Sequence, residues 1–229
     1  MPLPPHIASR RKAERARLIQ RRLAAPAPDH ARWSARIEAC LREGFGLLER
    51  GVVGFCWPFQ GEFDARPFVR DLRRRGARAA LPVVIAKGRP LEFREWWPGV
   101  AMINGVYDLP VPDGTAVLTP DALLIPAVGI GAIGDRLGYG GGFFDRTLAA
   151  LDPKPLAVGL AFELSRMATT EPQPHDVLMD FVVTEDGIEA AVEGGLERIG
   201  AEDCQRRLAA LAAERGLPHR SIAVAPAPA

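Results

Sequence analysis

The segment Arg136-Leu137-Gly138-Tyr139-Gly140-Gly141-Gly142-Phe143-Phe144-Asp145-Arg146 sets four glycines between two arginines and places an aspartate just before the second. Glycine allows positive φ and close backbone approach, so consecutive amides can line an anion; arginine adds charge-assisted hydrogen bonds of roughly 1.5 to 3 kcal/mol each. This is phosphate chemistry, and Asp145 is placed to carry the magnesium ion of a nucleotide. A glycine-rich run can also be only a turn. Its surroundings favour the phosphate reading. Residues 123–128 ahead of it read as a buried strand, and residues 143–151 behind it form an amphipathic helix whose N-terminus suits an anion.

Two further segments carry chemistry-bearing residue types. Trp57-Pro58-Phe59-Gln60-Gly61-Glu62-Phe63-Asp64 follows an apolar run and sets Glu62 and Asp64 beside two aromatic side chains, which suits a flat heterocycle with N–H donors. Asp64 can equally cap the helix that follows. Near the start, Arg10, Arg11, Lys12, Arg15, Arg17, Arg21 and Arg22 crowd one stretch with Glu14 as the only acid among them. They form either a solvated helix face or a supply of phosphate ligands. A third pattern, Gly129-Ile130-Gly131-Ala132-Ile133-Gly134, matches the dinucleotide motif G-x-G-x-x-G letter for letter. That motif needs a helix at its third glycine, and the glycines from 138 onward forbid one, so no dinucleotide site is expected.

The elements that must position these residues can be read from periodicity. Residues 9–24 read as a basic helix with Ser9 as N-cap, broken by Pro26 and Pro28. A second helix is expected from about Asp29 or His30, with Trp33, Ile37, Leu41, Phe45 and Leu48 as a buried stripe ending at Gly51. Residues 52–57 and 79–85 read as strands around a helix over 65–75, a β-α-β unit in which Phe68, Val69 and Leu72 face inward and Gly76 ends the helix. Further strands are expected over 91–96, 123–128, 156–162 and 181–184, and helix resumes over 189–215. The expected fold is α/β: a mostly parallel, mixed sheet with helices on both faces, a Rossmann-like three-layer sandwich. Ligands then collect at the carboxyl ends of its strands. Residues 1–190 would form the α/β domain, 191–216 a C-terminal helical extension, and 217–229, rich in alanine and proline, a disordered tail.

Composition narrows the partners. A formal net charge of +1 gives no global case for nucleic acid or a membrane surface, and no run is long enough to span a bilayer. Cys40, Cys56 and Cys204 are odd in number and widely separated, which fits a reducing cytoplasm. His6, His30, His175 and His219 are scattered, so a histidine metal site is not expected. A cytoplasmic monomer or homodimer that takes small molecules is the expectation.

Taken in order, residues 57–64, Leu81-Pro82-Val83-Val84, Phe93-Arg94-Glu95-Trp96, the loop 136–146, Pro174-His175-Asp176 and Val183-Thr184-Glu185 resemble the 5-formyltetrahydrofolate cyclo-ligase family, also called methenyltetrahydrofolate synthetases. The resemblance spans roughly residues 10–187. It implies use of ATP and Mg2+ to turn 5-formyltetrahydrofolate, a reduced folate, into 5,10-methenyltetrahydrofolate. The formyl oxygen would attack the γ-phosphate, N10 would close on the activated carbon, and phosphate would leave; the protein's task is positioning and charge neutralisation. Carried over by position, Arg11 and Arg15 would touch ATP, one helical turn apart. Arg136, Gly138, Gly140, Gly141, Gly142 and Phe144 would form the nucleotide loop. Arg136, Tyr139 and Phe143 would serve the reaction, with Tyr139 and Phe143 also bordering the folate. Asp145 and Asp176 match the magnesium positions, and Phe59, Glu62 and Asp64 the pterin region. The chain departs from the pattern at Phe143 and Phe144, where tyrosines are usual, at Gly141, where lysine is frequent, at Arg11, where the family has lysine, and at residues 126–131, which lack the usual acid. A paralogue that keeps nucleotide binding but takes another small substrate, or serves a binding or regulatory role, is the alternative.

Overall fold

The structure, a computed structural model, describes residues 4–217 of the 229. It opens with α1 (Pro5–Leu23) and α2 (Ala27–Gly44), followed by β1 (Val52–Phe55), α3 (Arg66–Arg74), β2 (Arg78–Val83) and β3 (Glu92–Trp96). A small hairpin, β4 (Met102–Asn104) and β5 (Pro110–Pro112), precedes β6 (Ala122–Pro126), a second hairpin of β7 (Gly129–Ile130) and β8 (Arg136–Leu137), and α4 (Phe143–Ala150). The chain ends in β9 (Leu156–Leu160), β10 (Phe181–Thr184), β11 (Gly187–Val192), β12 (Gly195–Ile199) and α5 (Ala201–Glu214).

Eight strands form one sheet in the order β12-β11-β10-β9-β6-β1-β2-β3. The centre is parallel, with Val53 of β1 opposite both Ala79 of β2 and Ala122 of β6. β3 joins one edge antiparallel, and β11 and β12 join the other as a hairpin. The mixed, mostly parallel sheet is the expected one. Side-chain alternation splits the core into two layers. Val53, Phe55, Ala79, Leu81, Leu124, Val158, Phe181 and Val183 pack against α2, α3 and α5. Ala80, Leu123, Ile125, Ala157 and Val182 face the other way, towards Leu148 of α4. Helices on both faces complete the three layers.

Local chemistry moved several expected boundaries. α1 starts at Pro5 rather than at Ser9, because proline's fixed φ suits the first helical turn and Ser9 simply continues it. α2 likewise starts at Ala27, with Pro28 in its first turn. That helix ends at Gly44, yet Phe45 and Leu48 remain buried because a 3₁₀ turn, Gly46–Arg50, carries the stripe onward. The expected helix over 189–215 is corrected most. Residues through Ile199 form the β11–β12 hairpin, and helix begins only at Ala201. Residues 191–199, expected as part of a helical extension, are therefore strand in the main sheet. Arg215, just past α5, ties that helix back to the sheet through a bidentate ion pair with Asp180 at 2.6 and 2.8 Å. Leu217 is buried; the rest of the expected tail, 218–229, lies outside the described residues. Among the described residues no helix is long and apolar enough to cross a membrane.

The ring of Phe181 meets that of Phe45 edge-on at 5.5 Å, joining β10 to α2 with both side chains fully buried. Phe181→Ala is expected to lower unfolding free energy by about 3–5 kcal/mol, seen in urea as a shifted midpoint at unchanged slope. A loss below about 1 kcal/mol would show that this contact is not central to the core.

Candidate active site

Because β1, β6, β9 and β10 run parallel, the segments that leave them gather at one edge of the sheet. β1 leads into residues 56–65, β6 into the β7–β8 hairpin and the glycine loop, and β9 into residues 161–180. The dinucleotide-like glycines 129–134 belong to the β7–β8 hairpin, whose turn closes through Gly131 N donating to Asp135 O at 2.8 Å. No helix follows Gly134, as its glycine-rich sequel required.

α1 lies against this edge. Arg11, Arg15, Leu18 and Arg22 recur at helical spacing and share one face. Leu18 is buried with Val128 and Leu137 and fixes the helix in place. Arg15 Nε donates to Gly138 O at 2.7 Å, at the start of the glycine loop. Arg11 donates to Thr170 O at 3.0 Å and Glu171 O at 3.1 Å, and forms an ion pair with Asp176. Burial, and then the charge of Arg11, lower the Arg15 pKa from its ordinary value. Two guanidiniums held close together in this way favour an anion between them. Between α1 and residues 166–171 lies a cavity of about 300 Å³, with Arg10, Arg11, Glu14 and Arg17 on its wall.

The loop itself has the form of an anion cradle. Gly140 (φ 92°) and Gly142 (φ 62°) sit in the left-handed region, and Gly142 caps α4. Among the described residues, the first amide after Leu137 to find a backbone acceptor is that of Arg146, on Gly142 O at 3.2 Å. The amides between have no backbone acceptor at this opening of the loop, where Arg15 lies close to Gly140 and Gly142 leads into α4. Arg146 folds back over the Phe143 ring at 5.2 Å and donates to Gly141 O. Phe144 packs into the layer beneath α4 rather than into the opening.

Arg136 is buried under the loop and bonds Val177 O at 2.6 Å and Asp145 Oδ1 at 2.8 Å. Its pKa is lowered by burial, against the opposing pull of Asp145. Asp145 Oδ1 also accepts from Val177 N at 3.0 Å. Asp176 Oδ2 accepts from Arg11 and from Gln173 N, the latter at 2.9 Å. Burial alone would raise the Asp176 pKa; Arg11 and the Gln173 amide outweigh it and leave the group below its ordinary value. The Val177 amide thus ties Asp145 to the residue beside Asp176, whose Oδ1 lies 3.7 Å from His175 Nε2. Among the described residues no three His, Cys, Asp or Glu side chains could hold a metal unaided. A carboxylate pair that relies on substrate phosphates to complete the coordination fits magnesium, which keeps few protein ligands.

The second predicted region divides. Glu62 is buried; it accepts from Phe59 N at 3.0 Å and from the Tyr139 hydroxyl at 2.6 Å. The rings of Phe59 and Tyr139 pair at 5.6 Å. Burial raises the Glu62 pKa, while Tyr139, Arg22 and the Phe59 amide oppose the rise. Asp64 instead forms a bidentate ion pair with Arg66 at 2.7 and 2.8 Å and accepts from Arg66 N at 3.0 Å, at the start of α3. Ala65 is the N-cap of α3, and Asp64, one residue earlier, is held by the side chain and amide of Arg66.

This arrangement of glycine loop, α1 arginines and buried glutamate coincides with a known family: the model of the 5-formyltetrahydrofolate cyclo-ligase family matches residues 7–185. The chain belongs to that family. The cyclo-ligase of Escherichia coli (strain K12) is 32% identical over 134 residues, 55% of this chain and 73% of that protein. The one from Mycolicibacterium smegmatis (strain ATCC 700084 / mc(2)155) is 33% identical over 151 residues, 62% of this chain and 76% of its own. A solved 5,10-methenyltetrahydrofolate synthetase from Aquifex aeolicus shares the fold with a TM-score of 0.70 at 21% identity, covering 83% of this chain and 96% of that one. Membership places the chain among ATP-dependent ligases, as the resemblance in its motifs implied.

Beside the predicted residues of this cyclo-ligase family member stands one that the motifs did not single out. Arg22 is buried, 3% exposed, and donates to the Tyr139 hydroxyl at 2.8 Å. Its signal was in the sequence, for it continues the Arg11–Arg15 stripe by two more turns. The loop's geometry is open to test at Gly142, where a Cβ would meet Arg146 Nη1 at 2.9 Å in a left-handed backbone. Gly142→Ala is expected to cost about 1 kcal/mol or more of stability, read from thermal melts. Wild-type stability in this variant would contradict the observed loop conformation.

Proposed function

We propose that the chain converts 5-formyltetrahydrofolate to 5,10-methenyltetrahydrofolate with ATP and magnesium, releasing ADP and phosphate. The observation that carries this reading is the contact of Arg15 with the glycine loop, together with Arg11 on Asp176 and Arg136 on Asp145 at the same edge of the sheet. Gly138, Gly140, Gly141 and Gly142 would present amides to the β- and γ-phosphates, with Arg11, Arg15 and Arg136 offsetting their charge. The cavity next to Arg11 suits the nucleoside end of ATP. Asp145 and Asp176 would hold magnesium together with the phosphates, and the ion would neutralise charge on the transferring group. Glu62 would accept from the amino-pyrimidine edge of the pterin, with Phe59, Tyr139 and Phe143 along the ring.

The reaction balances without a nucleophilic side chain. The formyl oxygen bonds to the γ-phosphorus as the bond to ADP breaks; N10 then bonds to the formyl carbon, loses its proton, and inorganic phosphate departs. Placing the formyl oxygen in line with the γ-phosphate is worth more here than any acid or base. Phe144 does not count against the reading, since it packs in an apolar layer where a tyrosine hydroxyl would need a partner. A second reading, nucleotide binding with a different small substrate, draws on Asp64, which is turned to Arg66 and away from the Glu62 network.

Absorbance of methenyl product from 5-formyltetrahydrofolate, Mg2+ and ATP, with a no-ATP control, separates the two. ATP-dependent product supports the cyclo-ligase, whereas calorimetric Mg-ATP binding without product supports the second reading. Asp145→Asn is expected to weaken Mg-ATP binding by tenfold or more, about 1.4 kcal/mol; wild-type affinity would remove Asp145 from the metal site. Glu62→Gln is expected to raise the folate KM more than the ATP KM, and an equal rise in both would reject the pterin assignment.

A further inference from the structure

Arg22 sits in the last turn of α1 and reaches three separate segments at the carboxyl edge of the sheet. Its Nε donates to Gln60 O at 2.9 Å, Nη1 to Ala127 O at 3.4 Å, and Nη2 to the Tyr139 hydroxyl at 2.8 Å. These are the loop that carries Glu62, the exit of β6, and the glycine loop. The nearest carboxylate, Glu62, stands 3.9 Å from Nη2, and the Tyr139 hydroxyl lies between them, accepting from Arg22 and donating to Glu62 at 2.6 Å.

Tyr139 is divided in its surroundings. Its residue surface is 41% exposed, yet its hydroxyl lies between two side chains that are 3% and 4% exposed. The ring therefore covers the pair from the solvent side, leaning on Phe59. Glycines on both sides, Gly138 and Gly140, give the backbone at this point little stiffness of its own. The hydroxyl is thus an anchor of the glycine loop on the side facing Glu62, as Arg15 is its anchor at Gly138.

We infer that Arg22 is a positioning residue of the reaction centre: through the Tyr139 hydroxyl it locks the glycine loop to Glu62, so that the phosphate cradle and the substrate-side carboxylate are held as one unit. Ligand binding at either place then favours the geometry that the other needs, which makes the two affinities interdependent. The inference rests on the proposed reaction, since it assigns Glu62 to the folate and the glycine loop to ATP. It adds Arg22 and a coupling between the two subsites.

The lock also bears on pH. The groups facing Glu62 are Arg22 from α1, Tyr139 from the glycine loop, the Phe59 amide and the Cys56 thiol. Loss of the Tyr139 hydroxyl removes a hydrogen bond to the ionised form of Glu62, so that form is reached only at higher pH. The acid limb of folate kcat/KM should move upward in Tyr139→Phe, which keeps the ring and its packing.

The deciding measurement is calorimetric affinity for a non-hydrolysable ATP analogue with magnesium, taken with and without saturating 5-formyltetrahydrofolate. Wild-type protein is expected to bind the analogue about fivefold or more tightly when folate is present, and Tyr139→Phe and Arg22→Lys to reduce that factor to near one. Wild-type coupling in both variants, with only a lowered melting temperature for Arg22→Lys, would make Arg22 a structural cross-link and overturn the inference alone. Equal analogue affinity with and without bound folate in the wild type would overturn it as well. Wild-type protein that binds the analogue but no 5-formyltetrahydrofolate would overturn the functional reading, and the coupling with it.

Discussion

Four guanidiniums, those of Arg11, Arg15, Arg22 and Arg136, converge on the carboxyl edge of the sheet, and the need to satisfy them, together with the repulsion of Arg15 by Arg11, sets the terms for everything else there. Removing such charges from water is costly unless each finds acceptors or an opposite charge. Arg11 takes Asp176 and two carbonyls, Arg136 takes Asp145 and one carbonyl, and Arg22 takes two carbonyls and a hydroxyl that relays to Glu62. Arg15 has a single carbonyl and a like charge nearby. It is the least compensated of the four, and it stands beside the glycine loop. An anionic ligand at this point relieves a repulsion that the fold itself creates.

The sheet supplies the constraint that makes this convergence possible. Only parallel strands deliver the ends of β1, β6 and β9 to one side, and parallel strands must be covered on both faces. α2, α3 and α5 cover one face and α4 the other, which leaves α1 available to lie across the edge. Its buried apolar anchor, Leu18, has half-buried Ile19 beside it and is flanked on its own stripe by arginines. The helix is therefore attached as much by polar contacts to the site as by core packing.

Much of this was legible in the sequence because the signals were local. The apolar runs that became β1, β2, β6, β9 and β10, the helix over 65–75 and the glycine loop each carry their own periodicity or composition. The failures were of a different kind. Residues 189–199 read as helical because their alanines and glutamates favour helix, whereas pairing with β10 decided for strand, with Glu193 and Gly194 at the turn. The start of α1 was misplaced because Ser9 has the chemistry of a cap, while the prolines before it were already fit to begin the helix. Arg22 was visible as a continuation of the Arg11–Arg15 stripe among several basic residues. Which of them is buried depends on the tertiary position of α1, which no local pattern specifies. Glu62 and Asp64 were indistinguishable by type and spacing, and they separate only because Arg66 is at hand for one and Tyr139 for the other.

The carboxylates of the site show why a ligand can enter without rebuilding it. Asp145, Asp176 and Glu62 are each already satisfied by a neighbouring donor of the protein itself. A ligand then meets groups that folding has already oriented. The desolvation of Arg136 and Glu62 has been met in folding, and it is not repeated when ligand arrives. Such a site is preorganised, because little reorientation of its own groups remains when a charged ligand arrives. The same logic locates its weak point. The glycines that give the loop its conformation also leave its backbone little stiffness, and the polar anchors at Gly138, Tyr139 and Gly141 must supply what the backbone lacks.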